Sequence, residues 1–334
     1  MAGNIKKLVL GFILLGAIGI APRFLGIISL NMAVELAIGA LFAVSLNLLL
    51  SYTGLLSFGH ALFFGMGAYV MGISITYMDG ITLIPAILMG SLAAGLTALI
   101  FTPLLVRVTG TAFSMLTMAF GQLMYVLCIK MRGITGGEDG LTLFDMPLLS
   151  VPGVFSLDMT DPATLYYTVM GVVLISIGCM WYFTKTPLGG VQAGIRDNAQ
   201  RVEYLGFHVS ASKAVIFIIS GTFAGLAGCL AAIFQQVISV DGFLRINVSF
   251  MPIMAIMIGG LGHFLGPVIG TIFLMFLNQM AMRYTDKVEL VFGIVFIMVV
   301  MYAPYGIHGL WVKARIYWGI FRHRKGALGK EERT

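Results

Sequence analysis

Long apolar stretches, interrupted by very few charges, decide what this chain can fold into. A helix crosses the roughly 30 Å hydrocarbon core of a bilayer with about 20 residues, each adding about 1.5 Å of rise. Reading for such stretches predicts spans at 8–22, 28–50, 58–78, 82–106, 111–130, 164–184, 214–237 and 286–304, with one further apolar region over 251–281. Charged residues make up 10% of the 334 positions, against about 25% in an average soluble domain. So few charges cannot clothe a soluble surface, whereas lipid tails solvate apolar side chains directly. Unpaired backbone groups cost several kcal/mol each in hydrocarbon, which excludes open-edged sheets and makes the runs helices. The prediction is an all-α integral membrane protein, a helical bundle of about eight full spans plus one broken, re-entrant segment. The 42 glycines fit close approach between membrane helices, where no hydrophobic effect drives association. Cys128, Cys179 and Cys229 all fall inside apolar runs without metal or disulfide spacing.

The net charge of +6 is a topology signal. Lys and Arg collect on the cytoplasmic side of membrane proteins. The segment after residue 312 holds Lys313, Arg315, Arg322, Arg324, Lys325, Lys330 and Arg333, and the 185–213 connection holds Lys185, Arg196, Arg201 and Lys213. The 131–163 loop instead carries Glu138, Asp139, Asp145, Asp158 and Asp161, with its one base, Arg132, at the edge. Residues 1–312 therefore read as a membrane domain with a cytoplasmic 185–213 connector and an external 131–163 loop. A basic cytoplasmic tail follows over 313–334. Lys6 and Lys7 place the N-terminus inside, and the first span reads as a retained helix, since no small-residue cleavage site follows it. Nucleic acid is excluded as a partner; membrane lipid is expected.

Two places break the pattern. As one helix, 251–281 would be about 46 Å long, too long for the core without strong tilt. Gly259, Gly260, Gly262, His263, Gly266 and Pro267 sit in its middle, where glycine weakens a helix and proline removes a donor. A break there, with two half-spans entering from outside, also brings the chain end to the cytoplasm. The second place is Gly54, Leu55, Leu56, Ser57, Phe58, Gly59 and His60. Both contain a Gly-Leu pair and a glycine-flanked histidine, which points to an internal repeat, inverted or parallel. Broken backbone at membrane depth must be buried in protein or line a wet cavity. Gly54, Ser57, Phe58, Gly59, His60, Gly259, Gly260, Gly262, His263 and Pro267 are thus the candidates for a solute pathway or gate. Structural hydrogen bonding is expected of both histidines. Away from the span ends Glu35 is the one acid, and Asn47, Gln122, Asn278 and Gln279 are long enough to reach across helices.

No Gly-rich Lys-Ser/Thr phosphate loop and no zincin or nucleophile-elbow motif occurs, so the chain reads as a transport subunit, not an enzyme. The most informative stretch is Thr186–Gly206. It is longer than a simple connection needs and reads as a short polar helix entered through glycines and closed by Gly206. Its candidate docking residues are Gly190, Arg196, Asp197, Asn198, Glu203 and Gly206.

Four stretches together resemble a known family: Asn47–Tyr69, Thr135–Leu141, Thr186–Gly206, and Gly259–Gly262 with Gly266-Pro267. Over nearly its whole length the chain is similar to LivM-type permeases of ABC importers for branched-chain amino acids and related amides. The resemblance implies a bacterial inner-membrane protein paired with a second permease of the LivH type. Two ATPases of the LivG/LivF type would bind ATP and Mg, leaving no cofactor in this chain, and a periplasmic binding protein would deliver solute. It also implies that the 186–206 element is the coupling helix for the ATPases. The chain departs from the family's loop at Val191, usually arginine, and at Ala199, commonly an acid.

Branched-chain amino acids are the expected solute, with urea, short amides and small aromatic acids as alternatives within the same role. Two rivals differ in class. An ion-coupled secondary transporter would carry more intramembrane acids than Glu35, and a non-transporting scaffold would copurify without ATPases.

Overall fold

The computed structural model describes residues 26–78, 80–143, 146–151, 155–285, 287–302 and 306. The predicted span 8–22, the lysine pair and the basic tail lie outside the described residues. Ten main helices are described: α1 (Ile27–Thr53), α2 (Ala61–Tyr77), α3 (Leu83–Leu105), α4 (Thr111–Lys130), α5 (Pro162–Lys185), α6 (Pro187–Tyr204), α7 (Val209–Gln235), α8 (Ile246–Gly259), α9 (Gly266–Tyr284) and α10 (Val288–Tyr302). Two-residue strands β1 (Leu141–Thr142) and β4 (Val237–Ile238) pair antiparallel, Leu141 opposite Ile238. A second antiparallel hairpin joins β2 (Leu149–Val151) to β3 (Phe155–Leu157).

Among the described residues, six helical stretches are long and apolar enough to cross a membrane alone, against about eight expected over the whole chain. Five match predicted spans, and the sixth, 240–259, comes from the region expected to be broken. The predicted 58–78 span starts as non-helical backbone through His60, leaving α2 only 17 residues. The predicted 286–304 span is a helix of 15 residues, α10.

α1, α2, α3 and α7 pack together as the centre of the bundle, with α5 against α1 and α4 at the periphery. α1 and α7 are the most deeply buried of these six stretches. Glycine lets α2, α3 and α7 touch backbone to backbone. A Cβ on Gly67 would collide with the Gly225 carbonyl, and one on Gly228 with the Phe64 carbonyl. The outer faces of α3, α4, α5 and α10 expose Leu92, Ile100, Met115, Ile175 and Ile297; with the family given below, they make this a multi-pass membrane protein with a lipid-facing surface.

The two ends of the bundle differ. At one end Tyr77 Oη donates to the Gly133 carbonyl at 2.9 Å, the Leu83 amide to the Leu148 carbonyl at 3.4 Å, and the Leu143 amide to the Gln236 carbonyl at 2.9 Å. There the 131–163 loop lies against the C-terminal end of α7. Asp161 caps α5, its carboxylate accepting from the Thr164 amide at 3.0 Å and the Thr164 hydroxyl at 2.7 Å. Those bonds hold Asp161 below the ordinary aspartate range. At the other end lies α6, under the C-terminus of α1.

Candidate functional site

α6 is two helices joined at Asn198, whose extended backbone interrupts the run. The Asn198 side chain caps the second piece by accepting from the Arg201 amide at 3.0 Å. Gly206, at φ 87°, ends it. The Phe207 amide donates to the Val202 carbonyl at 3.3 Å and the Gly206 amide to Glu203 at 2.9 Å, the two bonds of a Schellman motif. Asp197, Asn198 and Glu203 are exposed. Gly190 has open space around it, whereas a Cβ on Gly189 would strike Thr184 backbone, so the tight glycine is the neighbour of the one singled out by sequence. Beyond Glu203 the element presents Tyr204, Leu205 and Phe207, exposed by 89, 71 and 48%. Sequence reasoning missed this apolar knob, because exposure of an apolar residue is invisible without the fold.

Arg196 links α6 to the bundle. Its Nη1 donates to the Ser51 carbonyl at 2.7 Å. α1 has no basic residue in its last turn, so Arg196 supplies the cation that a helix C-terminus favours. Gly54 and Gly262, both at positive φ, flank it, and an added Cβ would lie in ordinary contact, 3.7 Å from Arg196 Cγ and 3.8 Å from its Nη1.

Ser51 is the hub of this junction. Its hydroxyl donates to Asn47 Oδ1 at 2.6 Å and accepts from the Gly262 amide at 3.1 Å. Asn47 Nδ2 donates in turn to the carbonyls of His263 at 3.2 Å and Phe264 at 3.4 Å. The turn 260–265 between α8 and α9 is therefore held to the last two turns of α1. Gly259 packs on the Gly266 carbonyl, and Gly306 on Gly260. Pro267 sits buried in the first turn of α9, where its missing amide costs nothing. Sequence reading named Asn47 without a partner and passed over Ser51.

The 54–60 segment turns back into the bundle. His60 is fully buried at the level of Ser45, eight residues before the end of α1, or about 12 Å along its axis. Its freed backbone groups find partners. The Leu56 carbonyl accepts from Ser114 Oγ at 2.7 Å, and the Ala61 amide donates to Ser249 Oγ at 2.8 Å. Gly59 lies on the Thr117 carbonyl with no room for a Cβ. His60 Nε2 is 3.1 Å from Ser45 Oγ, which also lies 2.7 Å from the Phe42 carbonyl. One hydroxyl proton serves one acceptor. Given to the nearer carbonyl, it makes Nε2–H the donor to Ser45 and leaves Nδ1 as a buried acceptor without a partner. Ser57 Oγ is buried and unpartnered as well. Phe42 stacks on the imidazole at 5.5 Å.

Three cavities flank this core, of about 480, 270 and 780 Å³. The first, near the loop end, is lined by Asn31, Glu35, Gln279 and Arg283. The second lies below it among Phe42, Phe64, Pro252 and Leu274. The third is lined by Leu50, Leu56, Phe58 and Leu261, beside the two breaks. Asn278 borders all three. Of the ten pathway candidates, Phe58 alone lines a cavity of this series. Gly59, His60, Gly259 and Pro267 are packed into protein, and Gly262 and His263 lie at the junction. Both breaks link a helix arriving at the α6 end to one leaving it.

Comparison with known proteins supplies the class. Residues 28–302 match the family described as the permease component of branched-chain amino acid transport systems. The high-affinity branched-chain amino acid transport system permease protein LivM of Salmonella typhimurium is 24% identical over 305 residues, 84% of this chain and 69% of that protein. LivM of Escherichia coli is 24% identical over 289 residues, 80% of this chain and 67% of that protein. The probable branched-chain amino acid transport permease protein LivH of Methanocaldococcus jannaschii is 29% identical over 161 residues, 45% of this chain and 50% of that protein. No solved structure matches the chain at a significant level. With helices apolar enough to span a bilayer and breaks buried inside them, the chain belongs to the family of permease components of branched-chain amino acid transport systems, and is of the LivM type.

Proposed function

We propose that the chain is the permease subunit of an ATP-driven ABC importer that moves branched-chain amino acids across the bacterial inner membrane. It pairs with a second permease of the LivH type, two ATPases of the LivG/LivF type that bind ATP and Mg, and a periplasmic binding protein. The α6 end faces the cytoplasm, as its basic connector requires, and the acidic 131–163 loop faces outward.

The observation that carries this reading is the Ser51 junction. One side chain of the polar connector, Arg196, touches the end of α1 between Gly54 and Gly262. A push on α6 therefore reaches both breaks without an intermediary. The 54–60 and 260–265 segments act as hinges of the gate, and the cavities beside them form the route. ATP acts as a ligand that favours one of two arrangements because α6 contacts the closed ATPase pair differently in each.

In reconstituted importer, replacing Arg196 and Glu203 together by alanine should abolish leucine uptake while ATP hydrolysis continues. Undiminished uptake would remove α6 from the coupling path. Uptake lost when an ionophore collapses the ion gradients at constant ATP would instead identify a secondary transporter, and preferential uptake of urea or benzoate would reassign the solute.

A further inference from the structure

Glu35 is an unusual residue to find where it stands. It lies eight residues into α1, about 12 Å along the axis, exposed at a cavity, and a carboxylate within a span is costly unless it is paired or faces water. Glu35 has no hydrogen bond or ion pair among the described residues, and Arg283, which lines the same cavity, has none either. Asn31, Asn278 and Gln279 complete this mouth with carboxamides, which both donate and accept. Directly below, and sharing Glu35, Met275 and Asn278 as walls, is the apolar cavity of about 270 Å³. Its size is near the lower edge of the roughly 300–1,000 Å³ range of small-molecule sites.

We infer that the mouth and the cavity beneath it form one transit site for a zwitterionic amino acid with an aliphatic side chain. The ligand's ammonium meets the Glu35 carboxylate, its carboxylate meets Arg283 and the carboxamide N–H groups, and its side chain enters the apolar cavity. Only such a solute uses both charges and the apolar wall at once. Urea and short amides would leave two opposite charges idle, and an anionic aromatic acid would be repelled by Glu35. The site also abuts the first break, because Phe42, which walls the cavity, stacks on His60 at 5.5 Å. Occupancy is therefore felt one side chain away from the buried latch formed by His60 and Ser45.

This inference rests on the permease reading, and the experiment separates the two. Complete importer is reconstituted with its binding protein, and leucine uptake is measured per assembled complex for the parent, Glu35→Gln, Glu35→Asp, Arg283→Gln and Met251→Trp. If the parent takes up no branched-chain amino acid, the permease reading fails before any variant is compared. With an active parent, Glu35→Gln and Arg283→Gln should each lower uptake at least tenfold, and Glu35→Asp should keep a third or more. Met251→Trp, which narrows the apolar wall, should lower leucine uptake several-fold more than alanine uptake. Uptake within twofold of the parent in both charge variants overturns the site. So does failure of both Glu35 variants to assemble, which would make Glu35 a packing residue.

Discussion

At the scale of the residue, Ser51 joins elements that are far apart in sequence. Its hydroxyl serves Asn47 and the Gly262 amide, and its carbonyl serves Arg196. Removing the hydroxyl leaves a partly buried amide and a carboxamide oxygen without partners, at a cost of about 1–3 kcal/mol for each fully desolvated group. Ser51→Ala should thus lower the melting temperature of the detergent-purified importer by several degrees and weaken uptake. Ser51→Cys, a poor donor of similar size, should fall between. A Ser51→Ala importer melting with the parent would show that the 260–265 turn is held by packing alone. His60 shows the opposite balance: one ring nitrogen is satisfied by Ser45 and the other has no partner.

At the scale of the element, α2, α3 and α7 meet at glycines that are not interchangeable. Gly228 lies on the Phe64 carbonyl, so any Cβ there must displace backbone, whereas Gly178 on α5 has open space. Overpacking a well-filled contact costs about 1–3 kcal/mol or more, while Gly→Ala in an open helix position gains up to about 1 kcal/mol of helix propensity. Gly228→Ala should sharply reduce the yield of folded protein in membranes, and Gly178→Ala should leave yield and uptake unchanged. Equal yields, read by fluorescence-detected size-exclusion chromatography, would contradict the close α2–α7 approach. α6 is governed by different physics: the ends of its second piece are set by Asn198 and Gly206, capping residues independent of lipid.

At the scale of the whole molecule, the bundle has a loop end and a connector end, and its route must run between them. Sidedness is open to direct test in a Cys179→Ser background, since Cys179 is the exposed native thiol among the described residues. A cysteine replacing Asp158, exposed in the 131–163 loop, should react with a membrane-impermeant maleimide applied to spheroplasts. One replacing Tyr204, 89% exposed beside the connector's C-terminus, should react only after permeabilisation. Reversed labelling would invert the importer and with it the direction assigned to solute.

The sequence by itself determined where most of the apolar helices lie, because that depends on local apolarity and the rise of a helix. It also located both breaks, since glycine and proline act on their own backbone, and the connector, whose polarity sets it apart. Seven predicted spans coincide with described helices, though two of these are too short to cross alone. Only the tertiary structure decided what the breaks touch. Ser51 meets Gly262 across 211 residues and Arg196 across 145, and no local pattern encodes contacts at such separations. The depth of His60, the one tight glycine beside Gly190, and the company of Glu35 are of the same kind. Each depends on which distant backbone arrives at a given height in the bundle, and packing alone settles that.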